Sequence, residues 1–360
     1  MARLARGEYL DPRTIQIVHT VQRCVRRAFL CGEDSISGRN YEHRRQWIRD
    51  RLEFLASVFA IDCLTYTVMS NHIHLILRSR PDIVRNWSDE QVARRWLRLY
   101  PKRRNKSGEL AEPNQTELNQ ILLDPLRIAE LRIRLSDISW WMRSTSENIA
   151  RRANKEDDVT GHFWEGRFKA QPLLDESAIL ACAMYVDLNP VRAAMACTPE
   201  QSEFTGAKDR IDDLQNHRKQ RKSKQPKRPG HWERCSKRRR KSGWMSPLQI
   251  DEQKDSVGSD ACESGRRASL KGFLSMPLTS YLQLLDWTGR QLRSGKRGTI
   301  PKHLAPILKR LGIETKSWHR LISKFGILFK RAAGTAESIS KEASRRQQHW
   351  LHAPGVDCFS

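Results

Sequence analysis

The chain has 360 residues, room for two or three domains, and carries 65 Lys plus Arg against 41 Asp plus Glu, a formal net charge of +24. The excess is uneven: residues 1–205 hold 31 basic and 27 acidic side chains, residues 206–360 hold 34 and 14, so a nearly neutral body is joined to a polyanion-binding portion for which nucleic acid is the expected partner. No apolar run nears the roughly 20 residues that cross a bilayer, Met1 to Leu10 lacks a secretory apolar centre, and the eight cysteines are scattered without a CxxC pair, which argues against a membrane protein, a zinc ribbon and a disulfide framework.

Taken in chain order, Thr14 to Arg23 alternates as a first strand. Asn40 can cap a helix from about Tyr41 to Phe59, with Ile48, Leu52, Leu55 and Phe59 on one stripe. Ile61 to Met69 is rich in strand formers, and Ser70-Asn71 turns tightly into a strand from His72 to Arg78, a hairpin. A basic, aromatic helix around Trp87 to Tyr100 precedes a mobile insertion at Pro101 to Thr116, and a helix covers Ile128 to Ala153. Gly161 to Phe168 turns into a last strand, followed by a helix from Glu176 whose first turn suits Asp175 and Glu176. This order predicts an α+β fold: an antiparallel sheet with helices on one face and the other face open. Residues 206–270, with Arg/Lys clusters between Arg218 and Lys241, read as a disordered basic linker. Helical stripes through Tyr281, Leu284, Leu285, Thr288 and Leu292, then Leu304–Leu311, Trp318–Ala332 and Ala336–Leu351, predict a small helical C-terminal domain over 271–360.

The chemistry concentrates in Ser70-Asn71-His72-Ile73-His74-Leu75-Ile76-Leu77. Side chains alternate along a strand, so His72 and His74 share one face while Ile73, Leu75 and Leu77 bury the other. A rigid imidazole pair is half of a divalent-metal site. On the later helix Tyr185 and Asn189 are four apart and project together, although Pro190 disfavours helical geometry at Asn189. A phenol titrates near pH 10, so as a nucleophile on a scissile phosphate it needs help, which Mg²⁺ or Mn²⁺ held by His72, His74 and the Asn189 amide oxygen would give.

Three runs, SNHIHLIL, GHFWEGRFK and Tyr185-x-x-x-Asn189-Pro190-Val191-Arg192-Ala193, resemble the signature of the REP-associated tyrosine transposases, single-tyrosine HUH transposases related to the smallest insertion-sequence transposases. The resemblance covers about residues 12 to 200. It implies a ferredoxin-like, RRM-like sheet and cleavage of single-stranded DNA beside a hairpin, leaving a 5′-phosphotyrosine and a free 3′-hydroxyl. It places the histidine pair on His72 and His74, the nucleophile on Tyr185 and the third metal ligand on Asn189, where many relatives carry glutamine. The insertion around residues 85–125 and the long C-terminal extension depart from the compact family pattern.

Further candidates for DNA contact are Arg78, on the histidine face, Trp164, Arg167 and Lys169, which interleave aromatic and basic groups, Arg192, and the run Lys237, Arg238, Arg239 and Arg240. His19 borders the site as a packing residue. The expected protein is a cytoplasmic, nucleoid-associated monomer or homodimer acting on single-stranded or hairpin DNA without membrane contact. The competing reading is a DNA- or RNA-binding protein that keeps the fold without chemistry; the joint presence of His72, His74, Tyr185 and Asn189 argues against it. A hydrolase with HExxH and a P-loop motor both lack their motifs.

Overall fold

The computed structural model describes residues 10–25, 30–33, 38–103, 105, 111–223, 241–251, 259–292, 315–348 and 350–351. The candidates Lys237, Arg238, Arg239 and Arg240 and the stripe at Leu304–Leu311 lie outside the described residues.

Strands β1 (Ile17–Arg23), β2 (Ile61–Val68), β3 (His72–Ser79) and β4 (Lys169–Pro172) form one antiparallel sheet in the order β2-β3-β1-β4. With a helix α1 (Arg44–Val58) between the first two strands, this is the split βαβ arrangement of a ferredoxin-like sheet, as the α+β reading predicts. Ser70 and Asn71 close the hairpin, the Met69 amide bonding to the His72 carbonyl.

The predicted helix at Ile128 to Ala153 is two: α5 (Pro125–Ser136) and α6 (Ile138–Glu156), numbered after α2 (Pro81–Arg85), α3 (Asp89–Leu99) and α4 (Gln115–Leu122). Asp137 makes the break, since its carboxylate accepts the Ser139 amide and caps a new N-terminus. The insertion is partly helical, with α3 and α4 each started by a capping box, at Ser88/Gln91 and Asn114/Glu117. These helices bury Ile48, Leu52, Leu55, Trp96, Leu131 and Trp141 against the sheet face that carries Ile73, Leu75 and Leu77.

The opposite face is not open. Ile17, Leu64 and Ile76 are apolar there and are covered by α7 (Glu176–Asp187), itself packed beneath α10 (Leu278–Leu292) and α11 (Thr315–Leu328), numbered after α8 (Asn189–Arg192) and α9 (Gly206–Ser223). Every residue of α7 except Glu176 and Tyr185 is buried, as expected of a helix apolar all round. Trp318, Phe325, Tyr281 and Leu285 thus share one cluster with α7 and the sheet instead of closing a core of their own.

The 206–270 segment also departs from a disordered linker in its described residues. The carboxylate of Asp209 on α9 accepts from Tyr66 at 3.0 Å and pairs with Arg49, while Trp244 and Met245 are buried in the main core. Charge clusters hid these few anchoring residues from composition.

Candidate active site

His72 and His74 alternate with buried Ile73 and Leu75 on β3, so they share one face, as predicted, but that face lies beneath α7 instead of standing open. The C-terminal end of α7 is pinned to β2. Thr67 Oγ1 donates to the Val186 carbonyl at 2.6 Å, Thr65 Oγ1 to Asp187 Oδ1 at 2.7 Å, and Tyr281 Oη to Asp187 Oδ2 at 2.6 Å. Burial raises the Asp187 carboxyl despite these bonds and nearby Arg210. Asp175 caps the other end, accepting the Ala178 amide at 2.9 Å. Between these fixed ends Tyr185 has little freedom to move.

Helix α7 stops at Asp187, and α8 begins at Asn189 with Pro190 in its first turn. The local break keeps Asn189 beneath Tyr185 and turns it to the strand: its Nδ2 lies 2.9 Å from His74 Nε2. The Tyr185 ring meets His74 edge-on at 5.5 Å between centroids, and the His72 and His74 rings are 4.7 Å apart. Two segments separated by more than a hundred residues therefore meet with all four predicted side chains present.

Electrostatics keep the imidazoles neutral. Burial lowers His72 to about 4, reinforced by Arg23, and lowers His74 well below its ordinary value, with His19, His72, Arg192 and Arg23 adding to the effect. His72 Nδ1 lies 2.5 Å from Asn71 Oδ1, which can only accept, so Nε2 keeps its lone pair. Among the described residues no group of three His, Cys, Asp or Glu is arranged for a metal. The groups that meet here are two imidazoles and the Asn189 amide, whose nitrogen rather than its oxygen is the atom facing His74 Nε2; only the amide oxygen could serve a cation, so Asn189 would have to turn its amide to do so.

Tyr185 is half-buried, and its upper side is covered by α11. Phe325 stacks at a tilt with centroids 5.6 Å apart, and a methyl group at Gly326 would sit 3.0 Å from the Tyr185 hydroxyl oxygen. Arg192 places its guanidinium 4.7 Å over the tyrosine ring and donates to the Ser323 carbonyl at 2.5 Å. Sequence periodicity gives no sign of this cover.

The remaining candidates divide. Arg78 is not available to a phosphate: it is buried, pairs with Asp62 at 2.8 Å and donates to the carbonyls of Gly272 and Lys271. A strand-end arginine looks solvated in sequence because its partner sits across the hairpin. Trp164 is half-buried and spends its indole N–H on the Ser146 carbonyl at 2.8 Å. Arg167 and Lys169 are exposed at the start of β4. His19, read from sequence as a packing histidine bordering the site, does border it: its Nε2 lies 3.0 Å from His74 Nδ1.

No helix among the described residues is long and apolar enough to cross a membrane. No protein-family model matches the chain, and no curated protein does. Among solved structures, the chain is similar to a REP-associated tyrosine transposase bound to a REP hairpin, at 12% identity over 60% of this chain and 87% of that one, with a TM-score of 0.35. That likeness is distant and by itself decides nothing about activity.

Proposed function

We propose that this protein is a DNA strand transferase that nicks and rejoins single-stranded DNA beside hairpins, with Tyr185 as its nucleophile. The observation that carries the reading is the convergence of Tyr185 and Asn189 from α7 and α8 on His74 and His72 of β3. His72, His74 and Asn189 would hold Mg²⁺ or Mn²⁺, which when bound neutralises charge on the scissile phosphate and aligns it. Tyr185 Oη attacks phosphorus, its proton passing to solvent. The P–O3′ bond breaks, and the leaving oxygen takes up a proton as the free 3′-hydroxyl. The DNA 5′ end remains esterified to the tyrosine until a 3′-hydroxyl reverses the step. Arg192 adds positive charge over the face of the tyrosine ring.

The test is incubation of the full chain with labelled hairpin oligonucleotides bearing single-stranded flanks and Mn²⁺. A covalently shifted band is expected, absent with Tyr185→Phe and with EDTA. An adduct that persists in Tyr185→Phe, or none under any of these conditions, overturns the reading. The second reading, a nucleic-acid-binding protein without chemistry, is favoured by one observation, the packing of Phe325 and Gly326 over Tyr185.

Exposed Arg167 and Lys169 supply backbone contacts in either reading. Arg167→Ala and Lys169→Ala should each weaken binding of hairpin DNA across sequences and lower the slope of log affinity against log salt by about 1. Filter binding at several salt concentrations measures both; an unchanged slope removes that residue from the interface.

A further inference from the structure

His19 stands between Gln171 and His74, and the chemistry proposed above gives it no task. It faces Ile76 of β3 and Gln171 of β4 in register and is buried. Both its nitrogens are engaged: Nδ1 lies 3.4 Å from Gln171 Oε1, and Nε2 lies 3.0 Å from His74 Nδ1. The two rings are 8° from parallel with centroids 5.2 Å apart. With nitrogens at 3.0 Å they meet edge to edge, the arrangement of an N–H···N bond.

The direction of each bond follows from the one before. An amide oxygen only accepts, so His19 carries its hydrogen on Nδ1. A neutral imidazole has one N–H, so His19 Nε2 accepts, and the hydrogen between the rings belongs to His74 Nδ1. His74 Nε2 then accepts from the Asn189 amide nitrogen, Nδ2, 2.9 Å away. We infer that His19 is a positioning residue: with Gln171 it holds His74 in the Nδ1–H tautomer, so that Nε2 keeps an acceptor lone pair, which a divalent cation would take in place of the Asn189 N–H. This rests on the metal-site reading above. Partners of this kind fix the ring as well as the tautomer of a ligating histidine. The opposite polarity, with the Gln171 amide turned and every bond reversed, would put a hydrogen on Nε2 and bar a cation from it.

The test uses the full chain with ¹⁵N-labelled histidine and no metal, His74 being assigned by comparison with His74→Asn. The expected spectrum has His74 Nε2 unprotonated and Nδ1 protonated. His19→Phe fills the space without an acceptor, so the His74 preference should be lost. Mn²⁺ affinity, followed by the free-ion EPR signal with no DNA present, should fall by about 10- to 100-fold. His19→Gln, whose amide oxygen reaches the Nε2 position, should restore most of that affinity. Should His19→Phe fail to fold, Gln171→Leu leaves His19 in place and loosens the same tautomer. A wild-type His74 protonated on Nε2, or an unchanged His74 pattern in His19→Phe or Gln171→Leu, overturns the assignment. A wild-type chain that takes up no Mn²⁺ yet has the expected tautomer leaves the role of His19 standing and removes the metal-site reading instead.

Discussion

Asp62→Ala should lower the unfolding free energy by about 3–5 kcal/mol, the cost of leaving buried guanidinium groups without their carboxylate. Asp62 is fully buried and faces Arg78 in the β2–β3 register. It accepts from Arg78 at 2.8 and 3.0 Å, from Arg80 at 3.3 Å, and from the amide and hydroxyl of Ser269 at 2.9 and 2.7 Å. Burial alone would raise its carboxyl; Arg78 and Arg80 outweigh that and hold it below the usual carboxylate range. Its contribution is therefore present above the unfolded-state pKa near 4 and is lost as pH falls through the lower folded value. Arg80 keeps a second partner in Asp82 at 2.7 Å, but Arg78 does not have one of comparable charge among the described residues. Total stability of a domain is about 5–15 kcal/mol, so the loss is a large share. Urea unfolding measures it. A change under about 1 kcal/mol would mean that water or rearrangement replaces the carboxylate, and Arg78 would return as a candidate for DNA contact.

The same cluster separates what the sequence makes legible from what it does not. Period-two alternation puts His72 and His74 on one face and Ile73, Leu75 and Leu77 on the other, which is how β3 is built. Helical spacing brings Tyr185 and Asn189 to the same side, and Pro190 marks the break between α7 and α8. These are local rules. The partners of Arg78 are not local: Asp62 lies sixteen residues back, and Ser246, Lys271 and Gly272 far ahead. A basic segment read by composition hides Trp244 and Met245, two apolar residues that are buried in the main core. The break at Asp137 was available in principle, since Ser136-Asp137 carries a capping residue inside an otherwise periodic stretch.

Helix α11 sets the access of Tyr185, and two neighbouring residues should move it in opposite directions. Phe325 is fully buried, against Tyr185 on one side and Phe329 on the other at 5.0 Å. Phe325→Ala removes a ring from this cluster, at about 3–5 kcal/mol for a Phe→Ala change in a core, and uncovers one face of the tyrosine. Gly326 does the reverse. It has no side chain where the phenol hydroxyl arrives, and a Cβ there would be 3.0 Å from that oxygen and 3.5 Å from Cζ. Gly326→Ala should gain up to about 1 kcal/mol of helix propensity while forcing the hydroxyl aside by a few tenths of an ångström. Gly326→Leu must displace either the phenol or α11, and a displacement approaching 1 Å costs about 100-fold in a reaction that depends on in-line attack. With adduct formation per folded molecule as readout, Phe325→Ala should exceed the wild type and Gly326→Leu should fall far below it. The thermal midpoint separates access from unfolding, because Phe325→Ala lowers it while raising the rate. Equal adduct yields in all three proteins would mean that α11 lifts away before DNA binds, and that the cover seen over Tyr185 does not limit the reaction. If Phe325→Ala is silent and the wild type forms no adduct, the binding-only reading gains, since the phenol would then be a packing residue like its neighbours Met184 and Val186.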